Sequence, residues 1–198
     1  MGLYTSNYLK NLAYNKKMVL NEELRFFSAK AINKAEKFDI FLSHSFLDKD
    51  EVLGIYHELK NKGYKVYVDW IVDSHLDRNK VTRESAELIR CRLKHSKSLL
   101  LAISSKVAMS KWIPWELGYV DGNTNKCAIF PVAKGAYNEN TFNRSEYLML
   151  YPYIKEASLN GLHNRIYAVE SSNTYVEFDR WVKYDKKPEY NFANIDIL

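Results

Sequence analysis

Residues 38–69 contain two short apolar runs separated by an amphipathic segment, and this alternation constrains the fold more than any other feature. The runs Phe38–Ser43 and Tyr64–Asp69 have the length and apolar character of buried strands. Between them, apolar side chains recur at three- and four-residue steps, as on one face of a helix: Val52, Tyr56 and Leu59. Gly63 then provides a helix stop. A strand, a helix and a strand within about 30 residues predict a parallel βαβ unit.

The same alternation continues along the chain. The pattern predicts a helix over Val81–Lys94, a buried strand over Ser98–Ser104, a helix from Ser110 to about Asp121, and strands over Lys126–Val132 and Arg165–Val169. Pro114 is tolerated because it lies near the first turn of its helix. Alternating strands and helices predict an α/β fold with a doubly wound parallel sheet.

The flanking segments are less regular. Residues 1–19 show weak periodicity and are interpreted as a leader, whereas residues 21–36 predict a helix that packs on the domain or docks a partner. Residues 135–164 predict a long loop with a short helix near Ser145–Leu150, and Thr174–Val182 predicts a last helix. The predicted division is a leader and helix at 1–37 and one domain at 38–198, with its core at 38–133 and a C-terminal part at 134–198.

Composition narrows the class of protein. A hydrophobic fraction of 46% is ordinary for a globular core, and no run approaches the roughly 20 apolar residues of a membrane span. The start of the chain lacks an apolar signal segment, so we expect a cytoplasmic protein with no membrane contact. Two cysteines make neither a disulfide framework nor a metal cluster. The net charge of +5 suits an anionic small molecule such as a dinucleotide, or weak non-specific contact with nucleic acid.

Several motifs of catalysis are missing from the chain. It contains no G-x-G-x-x-G for hydride transfer, no phosphate-binding G-x-x-x-x-G-K-[ST], no H-E-x-x-H and no G-x-S-x-G. We therefore expect no catalytic metal and no bound cofactor. The densest basic stretch spans residues 78–97 and is interpreted as a solvated helix face, with a phosphate-facing role as the alternative.

Ligands of doubly wound sheets bind outside the carboxyl ends of the strands. The residues predicted at those ends are polar or aromatic: Ser43, His44, Asp69, Trp70 and Ser105. Glu116 follows soon after the third of these strand ends.

Trp112 and Glu116 are four residues apart, so a continuous helix places them on one face. The positive end of that helix stabilises a carboxylate in the early turns. An aromatic plane beside a carboxylate suits a flat cationic leaving group and a developing positive charge, and NAD provides both. The alternative from the residues alone is a surface glutamate on an amphipathic helix whose tryptophans belong to the core.

Four ordered segments carry a resemblance to a known family: Phe38–Lys49, Tyr67–Asp69, Leu93–Ser105 and Ser110–Tyr119. Together they resemble bacterial Toll/interleukin-1 receptor (TIR) domains, and in particular the stand-alone Thoeris-type anti-phage TIR enzymes. The resemblance implies a flavodoxin-like five-stranded sheet.

In enzymatic members, the resemblance implies that NAD is the substrate, that the glutamate of the W-x-x-x-E pattern is catalytic, and that an ADP-ribose-derived signalling nucleotide, cyclic or conjugated, activates a separate effector protein. The catalytic position falls on Glu116, with Trp112 beside it. Ser43, His44, Ser45 and Phe46 are implied to line the nucleotide. Residues 70–80 are implied to form a loop that reaches a neighbouring copy, which predicts a homo-oligomer.

Three other functions remain open at this stage. A non-enzymatic TIR adaptor would work by self-association alone, and a simple hydrolase would deplete NAD without making a messenger. A nucleoside deoxyribosyltransferase-like enzyme would also use a carboxylate on a related sheet. The presence of Glu116 favours catalysis, because many adaptor members lack that glutamate.

Overall fold

The computed structural model describes residues 2–16, 21–22, 24–25, 33–44, 49–76, 80, 82–103, 112–134, 146–158 and 165–195. Their strands are β1 (Tyr4–Thr5), β2 (Phe38–Ser43), β3 (Val66–Tyr67), β4 (Ser96–Ile103), β5 (Cys127–Ala133), β6 (Tyr153–Ala157), β7 (Arg165–Ser171), β8 (Thr174–Glu177) and β9 (Glu189–Tyr190). The helices are α1 (Ser6–Asn15), α2 (Lys49–Asn61), α3 (Asp69–Val72), α4 (Arg83–Lys94), α5 (Ile113–Thr124) and α6 (Phe178–Tyr184), with a 3₁₀ turn at Glu146–Leu150.

All nine strands belong to one mixed sheet in the order β3-β2-β4-β5-β6-β7-β8-β9, with β1 paired to β5. The pairs from β3 through β6 are parallel, and so is β1 with β5. The pairs from β6 through β9 are antiparallel. The parallel part therefore has the doubly wound order that the sequence predicts, and the antiparallel strands extend it at one edge.

Helices cover both faces of the sheet, because the apolar side chains of the parallel strands alternate between two cores. One core joins α1, α2 and α6 to the face that carries Ile40, Leu100 and Phe130. The other joins α4 and α5 to the face that carries Phe41, Leu99 and Ile129. Within the described ranges, no helix is long and apolar enough to cross a bilayer.

The central elements match their predicted positions. β2 is found at Phe38–Ser43 as predicted, and α2 ends before Gly63, whose φ of +87° is the left-handed conformation expected of a helix stop. α4 and β4 differ from prediction by two residues or fewer at the bounds that the structure describes. β3 is shorter than predicted, since Asp69 already belongs to the next helical turn.

The interpretation of residues 1–19 as a leader is wrong for its described part. β1 adds to the sheet and α1 packs across α2. Gly54 permits this crossing, because a Cβ there would overlap the carbonyl group of Leu9. Residues 21, 22, 24 and 25 are helical as predicted, whereas residues 33–36 are not, so the helix predicted over 21–36 does not reach its predicted end.

The C-terminal third also differs from prediction. The fifth parallel strand is Tyr153–Ala157, which the sequence placed in a long loop, because Lys155 and Glu156 interrupt its apolar character. The predicted strand at Arg165 exists but is antiparallel. Thr174–Glu177 is a strand rather than the start of the last helix, which begins at Phe178. Four of the five predicted strands therefore belong to the parallel part, and the predicted count of five does not describe the nine-stranded sheet.

Candidate active site

The carboxyl end of β2 meets the first turn of α5 at a buried serine–glutamate pair. Ser43 is the last residue of β2, and its hydroxyl donates a hydrogen bond of 2.7 Å to Oε2 of Glu116. Neither side chain has exposed surface. A fully buried carboxylate is costly unless polar groups compensate it, so this contact is part of what holds the charge in place.

The start of α5 determines where Glu116 points. The helix begins at Ile113 with Pro114 in its first turn, and Trp112 occupies the N-cap position. Ser110, where the sequence predicted the helix to begin, lies outside the described residues, and Trp112 lies just before the helix rather than within it. The backbone N–H of Glu116 donates to the carbonyl oxygen of Trp112 at 2.9 Å. Glu116 is therefore close to the positive end of α5, which stabilises negative charge.

A second polar cluster joins the ends of β2 and β3. The Nδ1 atom of His44 lies 2.8 Å from the carbonyl oxygen of Leu42, and the indole N–H of Trp70 donates to Nε2 of His44 at 3.1 Å. Oδ1 of Asp69 lies 3.3 Å from the same Nε2. An indole nitrogen can only donate, so Nε2 accepts in this conformation and the proton belongs on Nδ1.

Charged and aromatic groups surround these two clusters. The ammonium group of Lys49 lies 4.9 Å from the ring centroid of Trp70. At the start of α5, the rings of Trp112 and Trp115 pack edge-on with their centroids 5.7 Å apart. The centroid of the Tyr119 ring lies 6.0 Å from that of Trp115. The guanidinium of Arg90 lies 5.7 Å from the Trp115 ring. Cations on indole faces keep positive charge close to the predicted nucleotide side of the sheet.

The structure thus brings together most of the residues that the sequence singled out. Ser43 contacts Glu116 directly, and Trp112 is joined to Glu116 through the backbone. His44, Asp69 and Trp70 form one cluster at the neighbouring strand end. The remaining predicted site residues lie outside the described residues: Ser45, Phe46 and Ser105.

A buried ion pair between α4 and the segment after α3 was not predicted. Arg92 donates two hydrogen bonds to Asp73, from Nε at 2.8 Å and from Nη2 at 2.7 Å, and both side chains are 1% exposed. The Tyr67 hydroxyl donates to Asp73 at 2.9 Å. Burial lowers the pKa of Arg92, but the hydrogen bonds and charge of Asp73 outweigh it and hold that pKa above its ordinary value. Burial and the charge of Asp73 raise the pKa of Tyr67.

This ion pair corrects two interpretations of the sequence. The resemblance implied that residues 70–80 form a loop that reaches a neighbouring copy, yet Ile71 and Asp73 are buried within their own chain. Arg92 was grouped with a basic stretch on a solvated helix face, yet it is buried, whereas Arg83 of the same helix is 85% exposed. The pair forms between residues 19 apart, and composition and periodicity carry no sign of such a contact.

Comparison with known proteins agrees with this fold. The family model described as TIR domain matches residues 40–159, which span β2 through the end of β6. The chain belongs to the TIR-domain family.

Two bacterial relatives are similar over different lengths. The "Probable 3' cyclic ADP-D-ribose synthase ThsB'" of Bacillus cereus (strain MSX-D12) is 41% identical over 197 residues, covering 92% of this chain and 99% of that protein. The "Putative cyclic ADP-D-ribose synthase TIR2" of Cytobacillus dafuensis is 26% identical over 129 residues, covering 58% of this chain and 34% of that protein. Among solved structures, a metazoan TIR-STING receptor from C. gigas is 15% identical with a TM-score of 0.36 over 54% of this chain and 32% of the other.

Proposed function

We propose that this protein cleaves the nicotinamide–ribose bond of NAD and forms 3′ cyclic ADP-D-ribose from the remainder. The observation that carries the proposal is the buried pair of Ser43 and Glu116 at the carboxyl end of the sheet. The name of the Bacillus cereus relative, which aligns over nearly its whole length, supports the choice of product.

The chemistry needs only one carboxylate. Nicotinamide is attached through a positively charged nitrogen, so it leaves as a neutral molecule without being protonated. Ordinary glycosidases use two carboxyl groups because their leaving oxygen requires a proton. Here the ionised Glu116 stabilises the oxocarbenium-like ribose as the bond breaks. Ser43 holds one carboxylate oxygen by its hydrogen bond and so helps to fix the position of the carboxyl group.

Cyclisation completes the reaction without another reactant. The 3′-hydroxyl of the adenosine ribose attacks the ribose carbon that nicotinamide has left, and its proton passes to solvent or to a basic group. The balance is one NAD⁺ converted to one cyclic ADP-ribose, one nicotinamide and one proton. This outcome requires that water be kept away from the carbon. A carboxylate with no exposed surface is consistent with such a dry site.

The remaining predicted residues are proposed to bind the substrate. Those in described parts of the chain lie at or beside adjoining strand ends, within reach of one ligand: Ser43, His44, Asp69, Trp70 and Trp112. Ser45, Phe46 and Ser105 are proposed for the same role from the family resemblance. Since Glu116 is fully buried here, a dinucleotide reaches it only when the surrounding side chains move. In the cell we propose an anti-phage role in which the cyclic product activates a separate effector protein.

The test of catalysis is Glu116→Gln with Glu51→Gln as the matched control. Both glutamates are buried and both accept a serine hydroxyl, Glu51 from Ser6 at 3.0 Å, but Glu51 makes its contacts with α1 and not with Ser43. Glu116→Gln should lower the rate of nicotinamide release about 100- to 1000-fold while the protein stays folded. Glu51→Gln should stay active. Near wild-type turnover by folded Glu116→Gln would remove that residue from the mechanism.

The test of the product is mass spectrometry of the reaction, run with and without lysate of phage-infected bacteria. Cyclic ADP-ribose and nicotinamide in equal amounts are expected. Linear ADP-ribose as the sole nucleotide product under every condition would replace the synthase with an NAD-depleting hydrolase. NAD left intact under every condition would favour a self-associating adaptor.

A further inference from the structure

A cavity of about 360 Å³ lies at the opposite end of the sheet from Ser43 and Glu116. Lys97, the second residue of β4, and Lys126, immediately before β5, are part of its wall. Ser43 pairs with Leu101, four residues beyond Lys97, so the two sites are separated by roughly 13 Å along the strands at about 3.3 Å per residue. The cavity is therefore distinct from the candidate active site.

Two helix ends build this cavity. Asn125 follows the last residue of α5 and Asp185 follows the last residue of α6 as C-cap residues, with φ angles of 52° and 55°. Among the residues that the structure describes, these are the two non-glycine residues with positive φ, and both line the cavity. The left-handed residue reverses the chain at each helix end. As a result the lysines that follow, Lys126 after α5 and Lys186 and Lys187 after α6, face the same space.

The wall carries more positive than negative charge. Its lining contains four lysines and one aspartate, Asp185. Lys126 is more enclosed than Lys97: 17% of the Lys126 side chain is exposed, against 53% of the Lys97 side chain. Burial lowers the pKa of Lys126, and the neighbouring charge of Lys97 lowers it further. A cation that is desolvated beside another cation is stabilised by an anion bound at the same place.

Two of these four lysines form ion pairs within the protein. Lys126 pairs with Asp185 and donates to the carbonyl oxygen of Val182 at the end of α6. Lys97 pairs with Asp39 at 2.8 Å. Lys186 and Lys187 are different, because neither ammonium group forms an ion pair with any residue that the structure describes. Their charge remains available to a ligand.

We propose that this cavity is a second binding site and that it takes a phosphorylated nucleoside of mononucleotide size. Ligand cavities range over roughly 300–1,000 Å³, and this one falls near the lower limit, too small for an extended dinucleotide. The ammonium groups of the lysines provide the positive charge and the hydrogen-bond donors that bind a phosphate group. The edge of Trp181, whose ring stacks on Phe178 at 5.6 Å, provides an apolar surface, and the side chain of Asn125 provides hydrogen-bonding groups for the nucleoside.

The test uses the indole N–H resonances of the isotope-labelled full chain, which has four tryptophans. Trp181 reports this cavity, and Trp112 reports the candidate active site independently. AMP and inorganic pyrophosphate should shift the Trp181 resonance in a saturable way, whereas adenosine, which has no phosphate, should not. Failure of AMP to shift the Trp181 resonance at several millimolar would overturn the proposal, whether or not the protein cleaves NAD.

Charge reversal supplies the matched comparison. Lys186→Glu combined with Lys187→Glu should raise the apparent Kd for AMP roughly tenfold or more. The control is Lys34→Glu combined with Lys37→Glu, which reverses the same number of exposed charges at the same end of the sheet but outside the cavity. The control should bind AMP as the wild type does. An equal loss of affinity in the two variants would mean general electrostatic attraction and would overturn the site.

Discussion

At the scale of single residues, the hydroxyl of Ser43 is the contact that orients Glu116, and its removal should affect turnover more than binding. A hydrogen bond to a charged group contributes about 1.5–3 kcal/mol. Ser43→Ala should therefore lower kcat roughly 10- to 100-fold with a much smaller change in KM. Steady-state kinetics of nicotinamide release measure both constants.

Ser98→Ala is the control for this prediction. Ser98 is also a fully buried serine on the parallel sheet, and its hydroxyl donates to the carbonyl oxygen of Asp39 at 2.9 Å, away from Glu116. Both variants lose one buried hydroxyl, so a shared effect on folding would appear in both. Equal kinetic losses in the two variants would contradict a positioning role for Ser43.

At the scale of secondary-structure elements, α1 is attached to α2 by charged contacts as well as by the close approach at Gly54. Glu51 accepts a hydrogen bond from Ser6 and pairs with Lys10, each at 3.0 Å. Burial raises the pKa of Glu51, but the contacts with Lys10 and Ser6 outweigh burial and leave it below the ordinary value of 4.5. A lowered pKa means that folding favours the ionised carboxylate, so its contribution is present above pH 4.5 and is lost as the pH falls through the lowered pKa.

The difference in stability between the wild type and Glu51→Gln should follow that titration. At pH 7 the variant should unfold with a free energy about 1 kcal/mol smaller, because glutamine cannot form the ion pair. At a pH below the lowered pKa of Glu51 the difference should shrink toward zero, because the wild-type carboxylate is then protonated. Urea unfolding at the two pH values measures it. A difference that stays constant across this range would show that the charge of Glu51 does not stabilise the fold.

A second prediction at this scale concerns the ion pair between Arg92 and Asp73, which joins α4 to the segment after β3. Arg92→Met leaves the Asp73 carboxylate buried without its cation, which typically costs about 3–5 kcal/mol. Arg83→Met on the same helix removes an exposed pair with Glu87 and should cost less than about 1 kcal/mol. Urea unfolding of the wild type and the two variants measures the loss in free energy of unfolding that each substitution causes. Similar losses in the two variants would mean that the Arg92–Asp73 pair is not what stabilises this segment.

At the scale of the whole molecule, NAD cleavage should depend on assembly. The family resemblance predicts that residues 70–80 reach a neighbouring copy. Asp69, Ile71 and Asp73 are buried within their own chain, so only the later part of this segment, where Ser74, His75 and Lys80 are exposed, is free to contact another copy.

Specific activity should therefore rise with protein concentration in a dilution series followed in parallel by light scattering. Lys80→Glu should weaken this dependence, and Lys94→Glu, an exposed lysine at the end of α4, should not. Constant specific activity from a protein that remains monomeric with NAD bound would rule out the assembly requirement.

Local patterns were sufficient for the parallel core. The alternation of apolar runs and helical stripes predicted β2, α2, α4 and β4, because strand and helix periodicities are properties of consecutive residues. The same order predicted that Ser43, His44, Asp69 and Trp70 lie at adjoining strand ends, since parallel strands place their carboxyl ends at one edge. The catalytic role of Glu116 came from the family resemblance, and it remains a prediction.

Tertiary structure decided the rest, because it depends on pairings between distant residues. β6 carries Lys155, which has no exposed surface, and a charged residue in a short run conceals a strand until its neighbours are known. β1 is two residues long and exists only by pairing with the end of β5. Asp73 and Arg92 look like surface charges in the sequence and become a buried pair only when α4 packs beside the segment after β3. The sequence determined which short segments form the central strands and helices, and long-range packing determined which polar residues are buried, because burial depends on what the rest of the chain places over them.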